Sequence, residues 1–453
     1  MLVLPGEAAV GLWRGVLRHA AFRRVWLGAM ISSIGTWMEG LGVQWLMAEQ
    51  TGSTVMLAWL AAAQLGPTLV LGMFGGLATD RLDRRKLLLT TQTIMMVIAL
   101  GLAVASAADL ATPPVLLAMG LLNGVAMAFN TPAWQVLTPR LVPREELHSA
   151  IALQGMQFNL ARVVGPALAG LMLARTSATV LFALNALSFV AVLAAIASTP
   201  PAPAPPGPPP AARAQVLEAL RFVFGGKGPR ALFGMLVLLS ALAAPLQRML
   251  PLFVSDVFHG SEADYGLLLG MFGAGAVLGG LTLGRWPVWY PRHHLIPLAL
   301  TLTGACMTLF CATDNLALAG VWIFLAGLVW IWAFSSMMTA VQLLVTDAMR
   351  GRVLSVTNMA MFGAMPVGSL LAAVLGEKLG AWSGGWFGPG ASGAAAVQLG
   401  VGSMALLLTV LGVLLLVFRT PEIDGPGPGA DVPQRARGLW RGMTAAAHRP
   451  HVA

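Results

Sequence analysis

Apolar runs of about 20 residues constrain the fold of this chain more than any other feature, because a helix of that length crosses the hydrocarbon core of a bilayer. The chain has 453 residues, of which 57% are hydrophobic and 10% are charged. A water-soluble fold could not bury so much apolar surface. We therefore predict an all-α membrane protein with about twelve transmembrane helices. The runs lie at residues 24–48, 53–78, 87–108, 114–136, 150–174, 178–197, 231–256, 263–284, 295–312, 316–345, 352–376 and 394–418.

The charges in the connections predict how these helices are oriented. Alternate connections hold most of the Lys and Arg side chains, and the other set holds Arg175 and Lys378. Cytoplasmic connections of membrane proteins are enriched in Lys and Arg. Both termini are therefore predicted to be cytoplasmic. This topology accounts for the formal net charge of +9, so no nucleic-acid partner is predicted.

A proline-rich segment at residues 200–210, PPAPAPPGPPP, divides the apolar runs into two sets. Such a segment favours extended polyproline structure and cannot cross a membrane as a helix. The predicted divisions are a cytoplasmic N-terminal segment (1–23), a six-helix half (24–197), a cytoplasmic linker (198–230), a second six-helix half (231–418) and a disordered cytoplasmic tail (419–453). Residues 211–224 have the spacing of either an interfacial helix or a solvated connector helix.

The two halves share a short sequence. Residues 75–81 read GGLATDR and residues 279–285 read GGLTLGR, at an offset of 204 (279 minus 75). Duplicated halves that rock against each other are a common design among transporters. We therefore expect two pseudo-symmetric halves with a central site.

Several motifs resemble those of the major facilitator superfamily. Residues 75–86, GGLATDRLDRRK, resemble the loop signature of the superfamily, and residues 159–170, NLARVVGPALAG, are similar to the Gly-Pro signature of its antiporters. The segments FRRVWLG, IGTWM, LVPREEL and RGRVL look like those of its enterobactin-exporter and macrolide-efflux branch; they lie at residues 22–28, 34–38, 141–147 and 350–354.

The resemblance implies a monomeric, proton-coupled antiporter in the bacterial cytoplasmic (inner) membrane. It would export a hydrophobic or amphipathic small molecule, such as a drug or siderophore, by alternating access. A lipid flippase or importer of the same fold remains open, as does a non-transporting membrane enzyme or sensor. No phosphate-cradling loop or metal-ligand motif occurs in the sequence, so neither a cofactor, a metal site nor an enzyme is predicted.

Two motifs are expected to control the helix ends and bends. The first is a cytoplasmic gating motif whose charges could join neighbouring helices or could simply orient the chain; it comprises Gly75, Asp80, Arg81, Asp83, Arg84 and Arg85. The second is a helix-bend motif, Gly165, Pro166 and Gly170, which would permit close approach and a bend or would serve packing alone.

Glu39 and Arg162 are the candidate proton-coupling residues, because a charge deep in a spanning helix usually faces a cavity or a partner. Glu39 follows Arg24 by about 15 residues, which is roughly 22 Å along a helix. It could exchange a proton, bind a cation or remain a paired structural carboxylate. Arg162 could pair with Glu39, hold an anionic substrate or be paired for structural reasons.

Other polar and aromatic residues could line the substrate path. Arg248 could instead extend to the membrane interface, and Trp330 could pack between helices rather than stack on a substrate. The path candidates are Asn123, Asn130, Gln154, Asn159, Arg248, Gln342 and Trp330.

Overall fold

The computed structural model describes residues 15–201, 212–283, 291–345, 347–387, 392–418 and 420–424. Within these residues the regular structure is helical, as the sequence predicts. The first half contains α1 (Ala20–Thr51), α2 (Thr54–Arg81), α3 (Arg84–Ala107), α4 (Pro113–Leu137), α5 (Leu147–Leu173) and α6 (Ala178–Ala197). The connector helix α7 (Ala212–Gly225) precedes α8 (Lys227–Leu252), α9 (Glu262–Leu283), α10 (Arg292–Cys311), α11 (Leu316–Leu344), α12 (Asp347–Phe387) and α13 (Ser392–Val417).

Eleven helices in the described ranges are long and apolar enough to cross a membrane. The helix α1 is not among these eleven, although it is 32 residues long. It carries Ser32, Glu39 and Gln44 along its length, and such polar residues lower the mean hydropathy. The all-α membrane fold is confirmed, with twelve long helices apart from the connector helix in the residues that the structure describes.

Some helices extend well past the apolar runs that predicted them. The clearest case is α12, which has 41 residues and begins at Asp347, whereas the predicted run covers residues 352–376. Backbone hydrogen bonds and capping groups determine where a helix ends, so it can continue beyond the hydrocarbon core. Apolar runs therefore locate helices better than they locate helix ends.

Glycines allow equivalent helix pairs to pack closely in the two halves. Gly75 of α2 lies directly against the backbone carbonyl of Ala128 in α4, and Gly279 of α9 lies against that of Leu328 in α11. A Cβ at either position would overlap that oxygen. Gly75 and Gly279 occupy the same position in the two similar sequences, GGLATDR and GGLTLGR. Their equivalent packing supports the predicted duplication.

The first residues of α1 and α5 lie on one face of the bundle, here named the inner face. Arg18, just before α1, donates a hydrogen bond of 2.6 Å to Glu146, just before α5. At the opposite end, here named the outer face, Gln50 of α1 donates to the carbonyl of Ala111 between α3 and α4.

The two halves contact each other from the membrane centre to the outer face. Gly363 of α12 packs on Leu69 of α2 near the centre. Toward the outer face, a Cβ built on Gly170 of α5 would stand 2.7 Å from Cα of Gly266 in α9. These small residues let the two helices cross at close range.

The connector helix α7 packs on the second half. Ala219 and Val223 are buried, and Glu218 pairs with Arg352 at the start of α12. Leu217 and Phe224 remain exposed, so part of its apolar face is left uncovered. The domain boundaries stay a prediction, because residues 202–211 and 425–453 lie outside the described ranges.

Candidate functional site

Aromatic rings surround the Arg162 guanidinium where the two halves meet. Its Cζ lies 4.9 Å from the ring centroid of Trp330, 5.1 Å from Phe272 and 5.9 Å from Trp37. Trp37 belongs to α1 in the first half, whereas Phe272 and Trp330 belong to α9 and α11 in the second. We call these four residues the arginine cage. Such cation–π contacts are worth about 0.5–2 kcal/mol each.

Two neutral amides bind the half-buried Arg162 and Arg248 and connect the halves. Arg162 donates to Gln247 of α8 at 3.2 Å, and the adjacent Arg248 donates to Gln64 of α2 at 2.9 Å. The helix α8 is thereby hydrogen-bonded to α5 and to α2. Arg248 is therefore an inter-half contact rather than a side chain that extends to the membrane interface.

Glu39 does not pair with Arg162 as the sequence allowed. Its Oε2 accepts a hydrogen bond of 2.6 Å from Nδ2 of Asn185 in α6, and Glu39 is 6% exposed. A Cβ on Gly35, one turn earlier, would stand 2.5 Å from Oγ of Ser188 and 2.6 Å from Oδ1 of Asn185. Because Gly35 has no side chain, α6 approaches α1 there, and the carboxylate faces α6 rather than the contact between the halves.

A ring stack joins the halves near the outer face. The rings of Trp45 in α1 and Tyr265 in α9 have centroids 5.9 Å apart and planes inclined by 24°. Tyr265 is fully buried, and its hydroxyl has no hydrogen-bond partner among the described residues. The Tyr265 ring is therefore part of the contact between the halves near the outer face.

The remaining path candidates are spread over several environments. Asn130 is buried, and its amide oxygen accepts from Thr91 and Gln92 of α3, so it joins α3 to α4. Asn159 donates to the carbonyl of Gly155 in its own helix. The amide oxygen of Asn123 is buried and has no hydrogen-bond partner within the described residues. Gln154 is half-buried, and Gln342 is exposed.

The gating motif contains residues with different contacts. Asp83 caps α3 by accepting from the backbone N–H of Lys86 at 3.0 Å. Arg84 is buried, Arg81 is exposed, and Arg85 donates to the carbonyl of Ala197 at the end of α6. The Asp80 side chain lies outside the described part of the structure. Arg85 therefore joins the inner ends of α3 and α6 within one half.

The helix-bend motif faces two different partners. A Cβ on Gly165 would stand 2.6 Å from Cβ of Trp37 in α1, whereas Gly170 faces Gly266 of α9. Pro166, between them, is buried within α5. The motif therefore packs α5 against Trp37 of the arginine cage on one side and against α9 of the second half on the other.

Sequence reasoning did not identify four of the residues in these contacts. Gln64 and Asn185 were detectable as polar residues inside apolar runs. Phe272 and Tyr265 carried no distinguishing signal, because aromatic residues are common in buried helices.

Comparison with known families matches residues 14–422 to the family described as transmembrane secretion effector. The enterobactin exporter EntS of Salmonella choleraesuis is 30% identical over 420 residues, which cover 90% of this chain and 96% of that protein. Macrolide efflux protein A of Streptococcus pyogenes is 27% identical over 370 residues, 79% of this chain and 90% of that protein. The staphyloferrin A transporter of Staphylococcus aureus is 26% identical, covering 77% and 87%.

Solved structures have the same fold at low identity. A bacterial homologue of the human lysosomal transporter Spinster, in an inward-facing and unoccupied conformation, matches with a TM-score of 0.68 and 14% identity, covering 88% of this chain and 96% of that one. A D-xylose-proton symporter matches with a TM-score of 0.66 and 15% identity, covering 88% and 97%. The chain therefore belongs to the transmembrane secretion effector family of major facilitator superfamily transporters.

Proposed function

We propose that this transporter exports a hydrophobic or amphipathic small molecule in exchange for protons. Support for export comes from relatives named as macrolide efflux, enterobactin export and staphyloferrin A transport proteins. The proposed setting is the bacterial cytoplasmic membrane, with the inner face toward the cytoplasm and the chain acting as a monomer.

The arginine cage is the observation that carries this proposal. Arg162 and Trp37 come from the first half, whereas Phe272, Trp330 and Gln247 come from the second. Any rocking of one half against the other would separate these groups. A site built from both halves would be opened to one face and then to the other as the halves rock, which is alternating access.

Contacts of the halves toward the outer face indicate which state this is. The Trp45–Tyr265 stack, the Gly170–Gly266 crossing and the Arg248–Gln64 hydrogen bond close that side. With the inner face cytoplasmic, the molecule is in a state closed to the outside. Export would require these contacts to separate after the substrate has bound.

Glu39 is the proposed proton carrier. Its carboxylate accepts from the Asn185 amide, and a protonated carboxyl group would become a donor and weaken that arrangement. Glu39 lies two residues after Trp37 on α1. If protonation weakens the hydrogen bond to Asn185, α1 can shift relative to α6 and move Trp37, which forms one wall of the arginine cage. Protonation of Glu39 would in this way be linked to substrate binding.

The test is accumulation of a panel of fluorescent lipophilic compounds in cells that express the wild type, Glu39→Gln or Glu49→Gln. Glu49 is an exposed carboxylate in the same helix and is the matched control. We expect the wild type and Glu49→Gln to lower accumulation, and expect this effect to be lost with an uncoupler or in Glu39→Gln. Equal export by Glu39→Gln would exclude Glu39 as the carrier, and increased accumulation in wild-type cells would indicate import.

A further inference from the structure

The charges at the contact between the halves do not balance within the part of the chain that the structure describes. Arg162 and Arg248 both form hydrogen bonds to neutral glutamine amides. Neither forms an ion pair with any residue that the structure describes. The carboxylate of Glu39 is turned toward Asn185 on the far side of α1. Among the described residues, the interface therefore carries two cations that form no ion pair with a carboxylate.

An uncompensated cation at this depth is expensive and is usually retained for function. The three rings of the arginine cage and the Gln247 oxygen offset part of the desolvation cost. A guanidinium has five N–H donors in a planar fork, and Gln247 accepts from one nitrogen, Nη2. The fork is suited to a carboxylate, which can accept two parallel hydrogen bonds.

The surroundings of Arg162 also indicate the rest of the ligand. Trp330 is stacked on Phe334 with centroids 5.0 Å apart, and Trp37 contacts Phe158 edge-on at 6.0 Å. Phe334 follows Trp330 by one turn of α11 and Phe158 precedes Arg162 by one turn of α5, so aromatic surface extends from the cage toward the inner face. Such walls favour a flat apolar or aromatic body.

We propose that the arginine cage selects anionic amphipathic molecules, with a carboxylate-type group on Arg162 and an aromatic body against the half-buried rings of Trp37 and Trp330. This substrate class rests on the proposed function, because it assumes that the cage is the transport site. A cationic ligand of the same shape would be repelled by Arg162 and Arg248. A neutral ligand would leave the cation without a counterion.

Binding of three probes that share one ring system tests this selectivity. Purified protein in lipid nanodiscs is titrated calorimetrically with 2-naphthoate, 2-naphthamide and 2-naphthylmethylammonium. We expect naphthoate to bind wild-type protein at least about tenfold more tightly than the amide, and expect the ammonium compound to bind most weakly. Arg162→Gln should remove the difference between naphthoate and the amide.

Two further variants separate charge from folding. Arg162→Lys keeps the cation and should keep the preference for naphthoate, although with weaker binding because the planar fork is lost. Arg175→Gln changes an exposed arginine and should leave all three affinities unchanged. If Arg162→Gln does not fold, the wild-type ranking of the probes and the Lys variant still decide the outcome.

Equal affinities for the three probes would overturn the proposal, as would a preference for naphthoate that survives in Arg162→Gln or no naphthoate binding at about 1 mM. The titrations need no proton gradient and are independent of Glu39. Gradient-dependent export without anion selectivity would overturn the substrate class alone. Anion selectivity without gradient-dependent export would overturn proton coupling alone.

Discussion

At the residue scale, the contact between Glu39 and Asn185 combines a buried carboxylate with a single amide donor. The hydrogen bond is 2.6 Å long, and Asn185 is 1% exposed. Ser188 donates to the backbone carbonyl of Asn185 at 2.7 Å, so Asn185 and Ser188 are both held in place. The loss of either partner would leave a buried polar group unsatisfied, which costs about 1–3 kcal/mol.

A double-mutant cycle measures this interaction. Asn185→Ala is expected to lower the free energy of unfolding by about 1–3 kcal/mol, because the Glu39 carboxylate loses its donor. The same change in a Glu39→Gln background should cost less, since no charged group is then left unpaired. Thermal unfolding of the four proteins in detergent provides the measurement, and strictly additive effects would contradict the assigned contact.

Two glycines of α1 provide a matched pair for the packing of α6. A Cβ on Gly35 would meet Ser188 and Asn185 at 2.5 and 2.6 Å, whereas a Cβ on Gly40 would meet nothing within 4 Å. Gly35→Ala is therefore expected to lower stability by about 1–3 kcal/mol through overpacking. Gly40→Ala should be neutral or slightly stabilising, because Ala favours helix. Equal melting temperatures for the two variants would refute this packing.

At the element scale, the crossing of α5 and α9 connects the two halves through backbone contact. Gly170 and Gly266 face each other with no side chain between them. On the other side of α5, Gly165 lies against Trp37. The helix α5 therefore carries Arg162 and contacts α1 on one face and α9 on another. The position of Arg162 during transport depends on whether α5 moves with the first half or stays packed on the second.

Enlarging this crossing should disfavour the state that is closed at the outer face. Gly170→Leu would separate α5 from α9, whereas Gly155→Leu occupies open space on the same helix. We expect Gly170→Leu to increase labelling of a Trp45→Cys reporter by a membrane-impermeant maleimide by at least about threefold, and Gly155→Leu to leave it unchanged. Cys306→Ala and Cys311→Ala remove the two native thiols from the background. Unchanged labelling in Gly170→Leu would argue against the crossing as the closing contact.

At the scale of the whole molecule, the helices of each half pack on one another, and the two halves meet mainly along the α5–α9 and α2–α12 pairs. Within the first half, Thr179 of α6 donates to Ser106 of α3 at 2.9 Å. Between the halves, Trp45 stacks on Tyr265. Transport by rocking halves requires the contacts between the halves to break and the contacts within each half to persist.

Cross-linking distinguishes these two kinds of contact. In the background lacking Cys306 and Cys311, a short bis-maleimide between Trp45→Cys and Tyr265→Cys is expected to reduce export by at least about tenfold, because the halves can no longer separate. The same reagent between Ser106→Cys and Thr179→Cys should leave export largely intact. Undiminished export with Trp45→Cys and Tyr265→Cys fully linked would contradict separation of the halves at the Trp45–Tyr265 contact.

Much of the fold could be predicted from the sequence, but much of the site could not. The apolar runs located the long helices, and the motifs around Gly75 and Gly165 indicated the superfamily. Glu39 and Arg162 were identified as charges deep in spanning helices, with their mutual pairing as one of several alternatives. In the structure the two side chains bind Asn185 and Gln247 instead of each other. Gly35 allows α6 to approach α1 closely, so the Glu39 carboxylate meets Asn185 before it can reach α5.

The sequence by itself determined that the chain is a bundle of membrane-spanning helices with duplicated halves, because apolar length and local motifs are properties of continuous segments. Only the tertiary structure decided which polar groups meet, since those contacts join residues far apart in the chain: Glu39 with Asn185, Arg162 with Gln247, and Gln64 with Arg248. Helix periodicity specifies a face but not the neighbour that covers it. That neighbour depends on close packing at small residues such as Gly35, Gly165 and Gly170, which is decided when the helices assemble.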